Sequence, residues 1–224
     1  MSRAAHVPIV KICGLRRPED VHMCIRHGTD ILGFVVDYSV PVPWDLTVIE
    51  AKTLMSEVSL PTETCVVTGG TTEHVCKIAA ELMPTYIQMH WETSPEDTAR
   101  LVERLGQLDV KLIQAIFSHT PDLEQTARAY SRAGVYAMLM DSRTPNHAEQ
   151  GGAADIAIWR KIQNAVACPV ILAGGITPGN AAECVKGTGV QMIDLMTGVE
   201  SAPGVKDECR VEELFRVLGN CAND

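Results

Sequence analysis

The sequence predicts an α/β fold, a (βα)8 TIM barrel formed by residues 1–224 as a single domain. Three observations lead there. The 224 residues are 46% hydrophobic and 21% charged, enough for a sizeable core and unlike a disordered or fibrous chain. Short β-like runs alternate with longer amphipathic segments from one end to the other. An α/β barrel of about 200 to 250 residues accounts for the length as one unit, and no low-complexity segment divides the chain.

The elements follow in order. Strands are expected at 8–13 (PIVKIC), 31–36 (ILGFVV), 63–67 (ETCVV), 85–90, 110–116 (VKLIQAI), 135–140 (VYAMLM), 169–173 (PVILA) and 190–195 (VQMIDL). Helices are expected between and after them, near 18–28, 45–58, 71–82, 94–106, 120–133, 155–166, 178–187 and 211–219. Two start signals are strong. Thr177-Pro178 places a cap residue before a proline at the first helical position, and Ser94-Pro95-Glu96-Asp97 adds acids in the first turn. Repeated βα units favour parallel pairing with helices outside, and a closed barrel is the economical way to pair every edge. An open doubly wound sheet is the rival that alternation alone does not exclude.

Nineteen Lys and Arg against 28 Asp and Glu leave a formal charge of −9. That charge disfavours nucleic acid and anionic lipid surfaces as partners but does not exclude a small anionic substrate, because main-chain N–H groups make a pocket locally positive. The eight cysteines are scattered, with no C-x-x-C pair and no secretory leader, and are expected to be reduced thiols in a cytoplasmic protein. No apolar run approaches the length of a membrane span. The histidines show no metal-ligand spacing, so no metal is expected. A homo-oligomer stays open, because apolar helix faces look alike whether they cover strands or another subunit.

In a βα barrel the reacting groups sit where strands end. Lys11 and Cys13 share a face of the first strand, and a nearby ammonium favours the thiolate, so Cys13 is either a base or nucleophile or an inert buried thiol. Asp141 closes an apolar strand, where a carboxylate is costly unless hydrogen-bonded or put to use; it is an acid candidate or a loop brace. Gln88 and His90 share a face of the fourth strand with Trp91 just beyond, and either line a pocket or serve structure. The seventh and eighth strands run into Gly174-Gly175 and, past Asp194, into Thr197-Gly198. Bare N–H groups there suit a phosphate, although tight turns would also explain the glycines.

Taken together the chain resembles the phosphoribosylanthranilate isomerase family of the tryptophan pathway. The shared motifs run nearly end to end: K-I-C-G-L at 11–15, G-F-V at 33–35, I-Q-M-H at 87–90 where the family has V-Q-L-H, L-M-D at 139–141, G-G at 151–152, L-A-G-G-I-T-P-G-N at 172–180 and D-L-M-T-G-V-E-S-A-P-G-V-K-D at 194–207. The resemblance implies an aldose-ketose isomerase that performs an Amadori rearrangement on a small phosphorylated sugar amine without metal or organic cofactor. It implies that Cys13 is the general base and Asp141 the general acid. It maps phosphate binding onto Gly174, Gly175, Thr197 and Gly198, and leaves Lys11, Gln88, His90, Trp91, Arg143 and Asp194 to line the substrate.

The departures lie at one end of the pocket. The family usually carries S-x-R after the second strand, with the arginine on the anthranilate carboxylate, whereas this chain has Ser39-Val40-Pro41-Val42-Pro43-Trp44. Trp91 replaces a glycine, Gly151-Gly152-Ala153-Ala154 replaces G-G-T-G, and Met196-Thr197-Gly198 replaces S-S-G. Either another cation takes over, with Arg143, Arg16 and Arg17 nearest in sequence, or the amine is not anthranilate. Trp44 or Trp91 would then offer an aromatic wall. An isomerase of a different aminosugar phosphate and a non-catalytic phosphosugar-binding barrel remain the alternatives, separable by a substrate panel and by binding without turnover.

Overall fold

The computed structural model describes residues 7–141 and 156–221. Eight strands form the barrel: β1 (Ile9–Ile12), β2 (Ile31–Val36), β3 (Glu63–Thr68), β4 (Tyr86–Met89), β5 (Lys111–Phe117), β6 (Ala137–Asp141), β7 (Val170–Ala173) and β8 (Met192–Leu195). Each pairs in parallel with its neighbour in the chain. β1 also pairs with β8, from Ile9 opposite Met192 to Ile12 opposite Leu195, which closes the ring. The expected barrel is therefore present, and the open sheet is excluded.

The helices are α1 (Pro18–Arg26), α2 (Val48–Met55), α3 (Thr72–Leu82), α4 (Pro95–Gly106), α5 (Leu123–Arg132), α6 (Ile156–Ala165), α7 (Pro178–Thr188) and α8 (Glu208–Cys221). Strand parity sorts the apolar residues into two layers. Ile31, Val35, Cys65, Val67, Ile113 and Leu139 point inward and pack with one another. Leu32, Phe34, Val66, Leu112, Met138 and Leu172 point outward under the helices. Burial on both faces explains why the strands read as unbroken apolar runs.

Local signals set the helix starts. The Ser94 hydroxyl accepts from the Asp97 N–H at 3.0 Å, and Pro95 opens α4. Three expectations need correction. Asp45 and Leu46 are not helical but form a short strand beside the end of β2, opposite Val35 and Val36. Thr47 and Glu50 form a reciprocal capping box that starts α2 only at Val48. Asp122 takes a left-handed conformation, φ 46°, which delays α5 to Leu123. The last helix begins at Glu208, after an unanticipated hairpin in which Glu200–Ala202 pairs antiparallel with Val205–Lys206. Among the described residues no helix is long and apolar enough to cross a membrane.

Candidate active site

Inward parity at the C-terminal ends of the strands gathers several of the expected residues in one barrel mouth. Lys11 is fully buried and donates to Asp194 Oδ1 at 2.9 Å; the two sit side by side in the β1–β8 register. Desolvation pulls the Lys11 ammonium pKa down. Asp194, Cys13 and Cys65 outweigh that loss, so it ends above its ordinary value and stays charged. Asp194 is thus occupied by a partner inside the protein, with about a tenth of its side chain, 11%, left exposed.

Cys13 lies just beyond β1, 3% exposed, in the inner layer. Its sulfur rests on the bare Cα of Gly33, where a Cβ would stand 2.8 Å from Sγ. The sequence leads one to expect a thiol made more acidic by Lys11, and the structure reverses the net direction. Burial raises the Cys13 pKa and Asp194 raises it further, against the lowering by Lys11 and Lys206. The thiol of the free protein therefore holds its proton at neutral pH, because desolvating an anion outweighs one ammonium already shared with a carboxylate.

Asp141 ends β6, two positions beyond inward-facing Leu139, and is 2% exposed. Its Oδ2 meets His90 Nε2 at 3.3 Å. His90 Nδ1 in turn meets Gln88 Nε2 at 3.3 Å. Tyr38, which the sequence reading passed over, donates its hydroxyl to the His90 carbonyl at 2.8 Å and sets its ring edge-on to Trp91. Phe117 stands edge-on to His90 from the other side, ring centres 5.4 Å apart. Trp91 is 38% exposed and covers Gly69, where a Cβ would lie 3.3 Å from its ring. It forms the outer rim of the mouth.

The glycine loops after β7 and β8 meet each other. Gly174 and Gly175 have φ of 87° and 67°, which suits residues without a Cβ. A Cβ on Gly198 would fall 1.9 Å from the Ile176 carbonyl oxygen, so the two loops approach in a way only glycine permits. Asn180, also unflagged by the sequence reading, accepts from the Thr177 N–H at 2.8 Å and donates to the Gly175 carbonyl at 2.9 Å. It fixes the first loop at the N-terminus of α7. Thr197 and Gly198 open a single 3-10 turn across from it.

Trp44 is buried, 4% exposed, and donates its indole N–H to Glu200 at 2.9 Å. Its ring lies against Gly14, where a Cβ would stand 2.8 Å from it, and belongs to the inner layer with Cys13. Lys206 completes this cluster, donating to Glu200 at 2.7 Å and to the Met196 carbonyl at 3.3 Å. Of the arginines considered, Arg16 donates to the Pro43 carbonyl at 2.8 Å and Arg17 pairs with Glu19 at 3.5 Å. Arg143 and Gly151–Ala154 lie outside the described residues. No cluster of three metal-ligating side chains occurs among the described residues.

A family model described as N-(5'-phosphoribosyl)anthranilate (PRA) isomerase matches residues 10–217, from within β1 to within α8. The chain belongs to the PRA isomerase family. A curated PRA isomerase of Nitrobacter winogradskyi is 32% identical over 212 residues, 93% of this chain and 91% of that protein. Another, of Rhodospirillum rubrum, is 31% identical and covers 94% of this chain and 97% of its own length. The crystal structure of the PRA isomerase of Thermus thermophilus superposes with a TM-score of 0.78 at 29% identity, covering 94% of this chain and 98% of that one. In this chain the loop after β2 carries no arginine from Asp37 to Trp44, and Trp44 at its end is buried.

Proposed function

We propose that this protein converts N-(5'-phosphoribosyl)anthranilate into the corresponding 1-(carboxyphenylamino)-1-deoxyribulose 5-phosphate, serving tryptophan biosynthesis. The single observation that carries the reading is the match of the PRA isomerase model to residues 10–217, on a barrel whose mouth holds an inward thiol and an inward carboxyl group. In this reading the carboxyl of Asp141 protonates the ring oxygen. The C1–O bond breaks as the nitrogen lone pair forms a C1=N iminium. Cys13 then gives up its thiol proton to solvent beside this cation and, as the thiolate, removes the proton from C2, giving an enolamine that becomes the ketone by losing its hydroxyl proton and gaining one at C1. The protons gained at the ring oxygen and C1 balance those lost from C2 and the enol hydroxyl, so the product is an isomer of the substrate.

The electrostatics favour acid before base. A thiol whose ionisation is resisted by burial is helped by a positive iminium beside it, and that cation exists only after the ring has opened. Gly174, Gly175, Thr197 and Gly198 present main-chain groups for the phosphate, aided by the N-terminal end of α7. Lys11 holds Asp194 and faces Cys13, while Gln88, His90 and Trp91 flank the sugar and the amine. Arg143 remains the candidate cation of the sixth loop.

Turnover of phosphoribosylanthranilate by the purified protein tests this directly. Cys13→Ser and Asp141→Asn should each lower kcat by about 10²-fold or more. Unchanged activity in both would remove the assigned roles. A second reading, another phosphoribosyl amine as substrate, is favoured by the state of the second-strand loop, where Arg16 serves a backbone carbonyl and Trp44 serves Glu200. An inactive wild type that turns over a different amine in a substrate panel would establish it.

A further inference from the structure

The line of polar groups behind Asp141 has a direction. Gln88, His90 and Asp141 touch in sequence, at 3.3 Å for each step, and the first and last are each only 2% exposed. An amide nitrogen only donates, so Gln88 Nε2 at His90 Nδ1 makes that ring nitrogen an acceptor and leaves the ring proton on Nε2, directed at Asp141. That is the spent form of a general acid: a carboxylate receiving a hydrogen bond. The other oxygen-for-nitrogen orientation of the same amide has the opposite effect. Gln88 Oε1 is buried with no hydrogen-bond partner among the described residues, so the amide has an acceptor in reserve.

We propose that His90 is a positioning residue that recharges Asp141, with the Gln88 amide selecting which ring nitrogen carries the proton. The inference rests on the reading of Asp141 as the acid. In the loaded form Oδ2 carries a proton and donates it to Nε2, while Nδ1–H donates to Gln88 Oε1; the three groups hold two protons. Passing one to the sugar ring oxygen leaves the proton on Nδ1, which solvent removes as another is delivered to Nε2, and the Gln88 N–H turns to Nδ1. Recharging takes one proton from solvent at Nδ1 and moves the Nε2 proton to Oδ2. His90 suits this position because its side chain is 16% exposed where that of Asp141 is 2%, so it connects a buried acid to water.

The groups facing His90 from other elements are Asp141 from β6, the Tyr38 ring from beyond β2 and the Phe117 ring from β5, and of these Asp141 alone is a carboxylate. Among the described residues only Asp141 and Gln88 meet the imidazole nitrogens. The Tyr38 hydroxyl is committed to the His90 carbonyl, which holds the strand end rather than the ring.

The test is the pH profile of kcat for the wild type, His90→Gln and Gln88→Glu, with Asp141→Asn alongside. His90→Gln keeps a donor and an acceptor but does not titrate, so kcat should fall about 10- to 100-fold with KM within about threefold. One limb of its profile should shift by about a pH unit while the other stays. In Gln88→Glu the carboxylate only accepts, retains the proton on Nδ1, and should move the same limb to higher pH. Profiles that keep the wild-type shape in both variants, or changes confined to KM, would overturn the proposal. If Asp141→Asn retains full activity, it is the assignment of the acid that fails. Should His90→Gln not fold, nitrogen chemical shifts of His90 in the wild type decide, a single Nε2–H tautomer at high pH being required and a mixture contradicting it.

Discussion

At the scale of single residues, the room for the Cys13 sulfur is set by Gly33. A methyl group at position 33 would lie 2.8 Å from Sγ and 3.0 Å from the Cys13 Cα, and the second of these contacts is backbone that cannot swing aside. Gly33→Ala should therefore displace the thiol, lowering kcat at least about tenfold while costing about 1–3 kcal/mol of stability; steady-state kinetics and a urea melt measure the two effects. Cys13 itself should alkylate slowly at pH 7 and faster as the pH rises. Iodoacetamide labelling followed by mass spectrometry checks this, and a rate already maximal at pH 7 would contradict the direction that burial imposes. This residue also marks a limit of sequence reading. The Lys11–Cys13 alternation is visible in the letters, but the desolvation that outweighs the ammonium depends on Gly33, Cys65 and Asp194 closing over the thiol from other strands.

At the scale of elements, the strands were the most legible part of the chain because both their faces are buried, and all eight fall within two residues of the expected bounds at each end. The second helix was misjudged although its start was written in the sequence as Thr47-x-x-Glu50. Asp45 and Leu46 look helical only until that cap is noticed. The hairpin of residues 200–206 likewise announces itself by Pro203-Gly204, with Gly204 at φ 77°, and it carries a buried ion pair that the motifs leave without a role. Glu200 and Lys206 have side chains 4% and 0% exposed. Lys206→Met should cost about 3–5 kcal/mol by stranding the Glu200 carboxylate, and adding Glu200→Gln should recover part of that loss. Chemical denaturation of the single and double variants tests it; equal destabilisation in both would show that a stranded Glu200 carboxylate is not the source of the loss.

At the scale of the whole molecule, the buried thiols Cys13, Cys24, Cys65, Cys76 and Cys184 make the fold sensitive to alkali. Burial pushes Cys24 and Cys65 up to about 12 and raises Cys13 as well. In the unfolded chain these groups ionise near about 8.5, so above that pH the unfolded state binds fewer protons than the folded one, and stability is lost as pH rises. The loss is at most about 1.4 kcal/mol per thiol per pH unit, large beside a total of about 5–15 kcal/mol. Tm should hold between pH 7 and 8 and fall steadily from pH 9 to 11, less steeply in Cys24→Ala. A flat curve would count against it.

Closure of the ring carries a consequence for how this protein fails. β1 is hydrogen-bonded to β2 on one side and β8 on the other, so no barrel strand offers a free edge on which a foreign strand could template. Cross-β assembly must then wait until a seam between neighbouring strands opens. The lag before fibrils or amorphous aggregates appear should accordingly track the unfolding rate rather than the protein concentration alone.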